Sequence, residues 1–419
     1  MAPMIRIRDL ATRRTGGEAE VSARVDSRAM GWRNERLWFR MPAELAPDDA
    51  HGDPFFVALL LPAMAAGLDI VLDGPLSPSL GANLERLQSL LLSWNWRNPW
   101  TRRLRAISVR AARGEEAPRG RAATGLFFSG GVDSWHSLLH AEREVGRRID
   151  ALLFVHGYDV PLSGPQSTAV LDHLRSSAGE SGVPLITMQS NYRRFSDPAV
   201  SWDMAHGSGL AAAAHVLGAC FDRWYVSSSD AHLKGLVSGT TRDLDPLWSR
   251  DGLSFDTIAI GIDRRRKLAA LVDHSSVQQH LIVCWRARGP VANCGRCAKC
   301  VSTMLQLLVL DALDRFGTLP HDVSPRLVSA EAILVEPIRL MVWEDLLVQL
   351  RSRVEWRDLA DAVDRLIART ERFERGLSLA NIGDSEGRRL AAAWMRRLAK
   401  QRLPVAVRRR VLAAARSTS

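Results

Sequence analysis

The sequence predicts an α/β protein built on a doubly wound parallel sheet, with a small α+β domain before it and a helical region after it. Three observations carry this reading. From residue 124 onward, short apolar strand-like runs alternate with helical runs, the pattern of parallel strands covered by helices. One of these runs, GLFFS, stops on two glycines and enters a helical stretch. After Arg315 the periodicity is helical.

The elements follow in order. MIRIRDL and RLWFRM read as strands. Asp53-Pro54 opens a helix, with the Asp as cap and Pro at the first helical position. The apolar run Phe55 to Leu68 contains Pro62 and falls short of the ~18 residues a membrane span requires, so it reads as a buried helix. LDIVLDG is a strand, LGANLERLQSLLLSWNW a helix, and RRLRAISVRA a strand. Residues 1–112 are thus expected to form the small α+β domain, whose Trp94, Trp96 and Trp100 could form a ligand surface but are read as packing between domains. Residues 113–123, rich in charge, Gly and Pro, read as a linker.

In the domain expected over residues 124–315, GLFFS, DALLFVH, PLITMQS and DRWYVSS are strands. The helices between them begin at Asp133, run from about Thr168 to Ser177, and cover SGLAAAAHVLGA. Residues 316–419 form the helical region, ending in a basic tail.

Composition bounds the function classes. The 419 residues are 46% apolar and 24% charged, ordinary values for a soluble globular chain. The start MAPMIRIRDLATRR has no apolar stretch of the secretory kind. Of five cysteines, four cluster late in the chain. That points to metal binding in a reducing compartment rather than a disulfide scaffold, and a cytoplasmic location is expected. The formal charge is +10, but the stretch from Arg388 onward holds nine Arg and one Lys with no acidic residue. The basic character therefore belongs to the tail. It could lie on an acidic membrane surface, bind nucleic acid or an acidic partner, or remain a solvated end.

Ser129-Gly130-Gly131-Val132-Asp133-Ser134 has the makings of an anion site. Helix-start N–H groups are unpaired and the helix dipole is positive there. Gly130 and Gly131 carry no Cβ, so phosphate oxygens can approach the backbone. Ser129 and Ser134 add hydroxyls. Asp133 would repel a phosphate unless a cation lies between them, which implies Mg²⁺. No lysine follows the glycines, which excludes the loop that handles a γ-phosphate.

This string, placed after an apolar strand, resembles the pyrophosphate-binding loop of the PP-loop ATP pyrophosphatase superfamily. The resemblance implies an adenine nucleotide α-hydrolase-like fold. It also implies cleavage of ATP between the α- and β-phosphates, with AMP passing to an acceptor oxygen and pyrophosphate leaving.

Cys284, Cys294, Cys297 and Cys300 are spaced C-x9-C-x2-C-x2-C. Four thiolates from a strand end and one tight knuckle suit a closed tetrahedral Zn²⁺, although an iron–sulfur cluster uses the same ligand set. This spacing, downstream of the same loop, is similar to the 7-cyano-7-deazaguanine synthase family over residues 124–310. There the four cysteines bind zinc, and the enzyme adenylates a carboxylate and then an amide, ending with a nitrile.

Other candidates lie at strand ends, where open α/β sheets bind ligands. His156 and Asp159 follow one strand, and Ser229, Asp230 and His232 follow another. They could face the acceptor or be solvated polar loops. The superfamily often places a Lys to steady the triphosphate. Lys267 is the candidate, beside Arg264 to Arg266.

The expected function is therefore a ligase-type, C–N bond-forming ATP-binding enzyme, with ATP, Mg²⁺ and Zn²⁺ as its nucleotide and metals. Its acceptor would be a small molecule, protein or peptide bearing a carboxylate or amide. Two alternatives stand beside it. One is sulfur insertion by the same adenylation, which usually needs a reactive cysteine; here only Cys220 stands outside the cluster, in what reads as the Ala-rich helix. The other is a non-catalytic nucleotide-binding sensor or scaffold. The sequence sets no oligomeric state, a homodimer being compatible with it, and leaves the acceptor unnamed.

Overall fold

The structure, a computed structural model, describes residues 3–97, 104–163, 165–229, 237–285, 293–330 and 337–374. The side chain of Trp96, together with Trp100, Asp230, His232 and the basic tail, lies outside them. The fold is mixed α/β, organised on a ten-stranded, mostly parallel sheet in the order β10-β9-β6-β7-β8-β3-β2-β1-β4-β5.

The chain opens with three antiparallel strands, β1 (Met4–Thr15), β2 (Glu18–Ser27) and β3 (Trp32–Pro42). Period-two alternation explains them. Ile5, Ile7, Val21, Ala23, Val25, Leu37 and Phe39 are buried, while the arginines between them take the other face. The sequence reading missed β2, whose EAEVSARVDS has few large apolar residues.

The helix α1 (Asp53–Ala66) is buried from Asp53 to Met64. It starts one residue earlier than expected. Gly52 is the cap, and Asp53 occupies the first helical position. The Asp53 carboxylate instead accepts from the Ser77 N–H at 2.9 Å and the Ser77 hydroxyl at 2.6 Å. Then come β4 (Asp69–Leu76), α2 (Pro78–Ala82), α3 (Leu84–Arg97) and β5 (Val109–Arg113), with β1, β4 and β5 parallel.

The second half of the sheet is the strand–helix alternation that the apolar runs predicted. It comprises β6 (Thr124–Phe127), α4 (Val132–Val145), β7 (Ala151–His156), α5 (Pro165–Ser181), β8 (Leu185–Ser190), α6 (Arg193–Ser196), α7 (Trp202–Val216), β9 (Arg223–Ser227) and β10 (Ser254–Ile258). All four pairings among β10, β9, β6, β7 and β8 are parallel. β10, unanticipated from sequence, is short and carries three polar residues, Ser254, Asp256 and Thr257.

The chain divides into two compact units. One is Met1–Ser129 with Asp133–Ile262; the other is Gly130–Val132 with Asp263–Ser419. The first unit holds the whole sheet, because β3 pairs antiparallel with β8 through Phe39–Ser190 and Arg40–Gln189. One apolar core runs from Ile5 and Phe39 through α1 to Ala211–Ala214 and Trp224, and includes Trp94. Residues 114–123, expected as part of a linker, contain no helix or strand but are anchored within this unit. Arg250 donates to the carbonyls of Ala117 and Pro118 at 3.0 and 2.9 Å, and Glu116 accepts from the Ser79 N–H and hydroxyl.

The second unit is built from α8 (Arg264–Leu271), α9 (Ser275–His280), α10 (Ala298–Val309), α11 (Pro325–Ser329), α12 (Pro337–Leu350) and α13 (Arg357–Glu374). Its core joins Val301 and Leu305 of α10 to Trp343 and Leu346 of α12 and to Leu359, Val363 and Leu366 of α13. The i, i+4, i+7 spacing on α13 is that of a helix with one apolar stripe. Among the described residues no helix is long and apolar enough to cross a membrane.

Candidate functional site

The strand order places the glycine turn. β6 continues to β7 and β8 on one side, while β9 and β10 lie on its other side. Because β9, β6 and β7 are parallel, their carboxyl ends open at one sheet edge, and the order reverses between β6 and β9. In open α/β sheets this reversal creates a crevice that ligands use.

β6 is buried along its length, and the Phe128 N–H donates to the Leu153 carbonyl at 2.9 Å. Phe128 packs edge-on against Trp135 of α4 at 5.1 Å, which fixes how strand and helix meet. Between them Gly130 takes φ of +70°, a left-handed conformation that costs a residue with a Cβ roughly 1 kcal/mol or more. In the second unit, its carbonyl accepts from the Ile282 N–H at 2.8 Å. The Ser129 N–H points at the Ser134 hydroxyl oxygen, 3.4 Å away, and the two hydroxyl oxygens are 3.4 Å apart. Asp133 sits half-buried in the first turn of α4. Both predicted hydroxyls and the carboxylate thus fall at one helix start, where the dipole favours an anion.

Lys267 is fully buried on α8, whereas Arg265 and Arg266 are exposed. Its N–H donates to the Asp263 carbonyl at 3.0 Å, and the Asp263 side chain caps the helix through the Arg266 N–H at 2.8 Å. Burying an ammonium costs several kcal/mol unless it is paired, so burial separates Lys267 from the arginines that sequence could not distinguish. Lys267 and Gly130–Val132 belong to the same compact unit.

The four cysteines of the second unit converge. The sulfurs of Cys284, Cys294, Cys297 and Cys300 all lie within 4.8 Å of one another. The Cys294 and Cys300 sulfurs are 3.8 Å apart, close to the ~3.8 Å edge of a tetrahedron with metal–sulfur bonds of ~2.3 Å. Gly295 turns the knuckle at φ of +69°. Cys297 then caps α10, and Cys300 follows in its first turn.

Asn293, which the sequence reading passed over, ties the loop together. Its buried side chain accepts from the N–H groups of Val283 and Cys284 at 2.7 and 3.3 Å. It donates to the carbonyls of Leu281 and Thr318 at 2.8 and 3.0 Å. The Cys300 thiol is pushed up, first by hydrogen bonding to Cys284 and Cys297 and then by burial. Four crowded sulfurs shed their protons only against a bound cation, and the donor set fits zinc.

The other strand-end candidates take varied places. His156 is buried at the end of β7, and its Nε2 lies 2.6 Å from the Pro161 carbonyl oxygen. Asp159 accepts from the Trp202 indole N–H at 2.8 Å. Ser229 is half-buried just beyond β9. Sequence reasoning missed the aromatic group beside Asp159. Trp202 stands 5.3 Å from Tyr158, with the Arg193 guanidinium 4.7 Å over its ring, and His206 Nε2 lies 3.3 Å from the Thr240 hydroxyl. Its only sequence signal was SWDMAH at the head of α7. Cys220 is in the turn after α7 rather than in the helix. It is half-buried, donates to the Leu45 carbonyl at 3.6 Å, and burial pushes its thiol up.

Comparisons with known proteins find no matching family model, no matching curated protein and no matching solved structure.

Proposed function

We propose that this protein is an adenylating enzyme of the PP-loop ATP pyrophosphatase kind, similar to the 7-cyano-7-deazaguanine synthases, on a doubly wound sheet. The observation that carries the reading is the Ser-Gly-Gly-Val-Asp-Ser turn, which joins a buried parallel strand to a helix at the reversal of strand order.

An acceptor carboxylate or amide oxygen attacks the α-phosphorus of ATP. The bond from that phosphorus to the bridging oxygen breaks, and pyrophosphate leaves with the electron pair. Ammonia or an amine then displaces AMP from the acyl-adenylate, giving an amide; an adenylated primary amide instead eliminates AMP and loses its remaining N–H proton, giving a nitrile. The backbone N–H groups of Gly130 and Gly131 and the hydroxyls of Ser129 and Ser134 hold the leaving pyrophosphate. Preorganised donors of this sort commonly supply the largest share of catalysis. Asp133 would hold Mg²⁺, which when bound neutralises phosphate charge. Lys267 steadies the triphosphate. Zn²⁺ on the four cysteines would be structural, a closed site without an open position.

Three features weigh against sulfur insertion through a built-in persulfide. Cys220, the one cysteine outside the cluster, is hydrogen-bonded and half-buried, and its pKa is raised, whereas attack requires the thiolate.

The test is incubation with ATP, Mg²⁺ and candidate acids or amides. AMP and pyrophosphate are expected in equal amounts. ADP as product, or no turnover with any acceptor, would sink the proposal. Asp133→Asn should lower turnover at least ~100-fold while leaving the circular dichroism spectrum unchanged. Normal activity in that variant would remove Asp133 from the mechanism.

A further inference from the structure

The sheet face of β1–β3 that turns away from the core carries an arrangement that ATP cleavage does not use. Register sets Arg8 opposite Arg24 across β1 and β2, and Arg24 opposite Arg36 across β2 and β3. Three guanidinium side chains therefore stand in one row on neighbouring strands, about 4.8 Å apart at the backbone. Like charges placed directly opposite in a sheet cost stability. A chain that only needed a solvated face would alternate their signs, as it does nearby where Arg6 faces Asp26 and Arg13 faces Glu20.

The row borders a groove of about 380 Å³, lined by Arg8, Arg13, Arg24 and Arg36 with the small residues Ala11 and Ser22. The single carboxylate in its lining, Asp9, is paired with Arg8. The irregularity of β1 between Arg8 and Ala11, with Asp9 at φ of +52°, bends that strand beside the groove, as bulges do.

Internal neutralisation is incomplete. Arg8 also meets Asp26 at 3.0 Å, and Arg36 shares Glu20 with Arg40. Arg24 donates to the Asn34 carbonyl at 3.0 Å. Among the described residues neither Arg13, although it faces Glu20 across the strands, nor Arg24 has a carboxylate within ion-pair distance. The Arg36 guanidinium is pushed below its usual range, first by burial and then by Arg13 and Arg40, so an incoming anion would relieve a crowding of cations.

We propose that this groove binds a ligand carrying consecutive phosphates. A guanidinium fork matches phosphate oxygens two at a time, and a row spanning about 10 Å over three strands suits a run of phosphates better than one. Either a free polyphosphate or the backbone of single-stranded nucleic acid supplies that chemistry.

The test uses the full chain with a saturating non-hydrolysable ATP analogue, so that the nucleotide site is occupied. Two probes are titrated, inorganic tripolyphosphate by calorimetry and a labelled 12-nucleotide single-stranded RNA by anisotropy, against wild type and the Arg13→Ala/Arg24→Ala double variant. The variant should weaken at least one probe ten-fold or more and flatten its salt dependence. Its melting temperature should equal or exceed that of wild type, because the like-charge row is relieved, and its ATP cleavage should match wild type. Weakened RNA binding identifies a nucleic-acid ligand; weakened tripolyphosphate binding alone identifies a small polyphosphate. If neither probe binds wild type, or the variant binds both as tightly, the proposal fails. Arg24→Lys, which keeps the charge, should recover part of the affinity and guards against a folding defect.

Discussion

Asp245 is fully buried in the first unit, where the Thr257 hydroxyl and the Thr241 N–H donate to its carboxyl group. Burial, the larger effect, raises its pKa to about 8, against the lowering effect of those donors. The folded protein thus holds a proton that the unfolded chain releases near pH 3.8. Stability from this group is complete below that pH and is lost as pH rises toward 8. Asp245→Asn, neutral at every pH, should abolish that slope. Its melting temperature should equal wild type near pH 4 and exceed it at pH 8, by an amount worth ~1 kcal/mol or more. Parallel curves at both pH values would show that Asp245 is ionised in the fold. Asp53 behaves oppositely. Burial would raise it, but His51, His215 and Ser77 together hold it near 2. The local sequence separates these two buried aspartates only in part: His51 stands beside Asp53 and Thr241 close to Asp245, whereas Ser77, His215 and Thr257 reach them only in the fold.

At the scale of elements, the cysteine knuckle and the glycine turn were both legible. Their chemistry depends on close spacing, and close spacing survives folding. What spacing could not supply was Asn293. Its four hydrogen bonds reach across the loop to Leu281, Val283, Cys284 and Thr318. Purified protein should contain about one zinc per chain; metal analysis showing iron with sulfide, or no metal, would overturn the assignment. Asn293→Ala leaves several buried peptide groups without partners at ~1–3 kcal/mol each. It should lower the melting temperature and speed zinc loss to a chelator. Zinc retained at the wild-type rate would show that the cysteines position themselves. The helical signals at α1, α4, α7 and α13 were also readable, because each carries a long apolar run or stripe. β2 and β10 were not, since their residues become strand only by pairing with neighbours.

At the scale of the molecule, β3 and β8 join segments about 150 residues apart into one sheet and one core. Removing residues 1–112 would leave β8 as an unpaired edge and strip the partners from much of that core. The remaining chain is expected in the insoluble fraction on expression, since a bare apolar edge pairs with other chains. A soluble, monomeric, cooperatively melting fragment would show that the second half of the sheet stands alone. The pinning of Glu116 and Ala117 by Ser79 and Arg250 points the same way, because these bonds order a segment whose composition alone reads as a spacer.

By itself the sequence determined the parts whose information is local: the alternation that makes an α/β chain, the glycine turn between strand and helix, and the four-cysteine spacing. Tertiary structure alone decided that the first five strands extend the same sheet as the rest. It also set Arg8, Arg24 and Arg36 in one row and buried Lys267 while leaving Arg265 and Arg266 in water. The reason is physical. Local signals arise from the torsions and periodicity of neighbouring residues, whereas register, burial and charge crowding belong to strands and helices that meet only after the chain has folded.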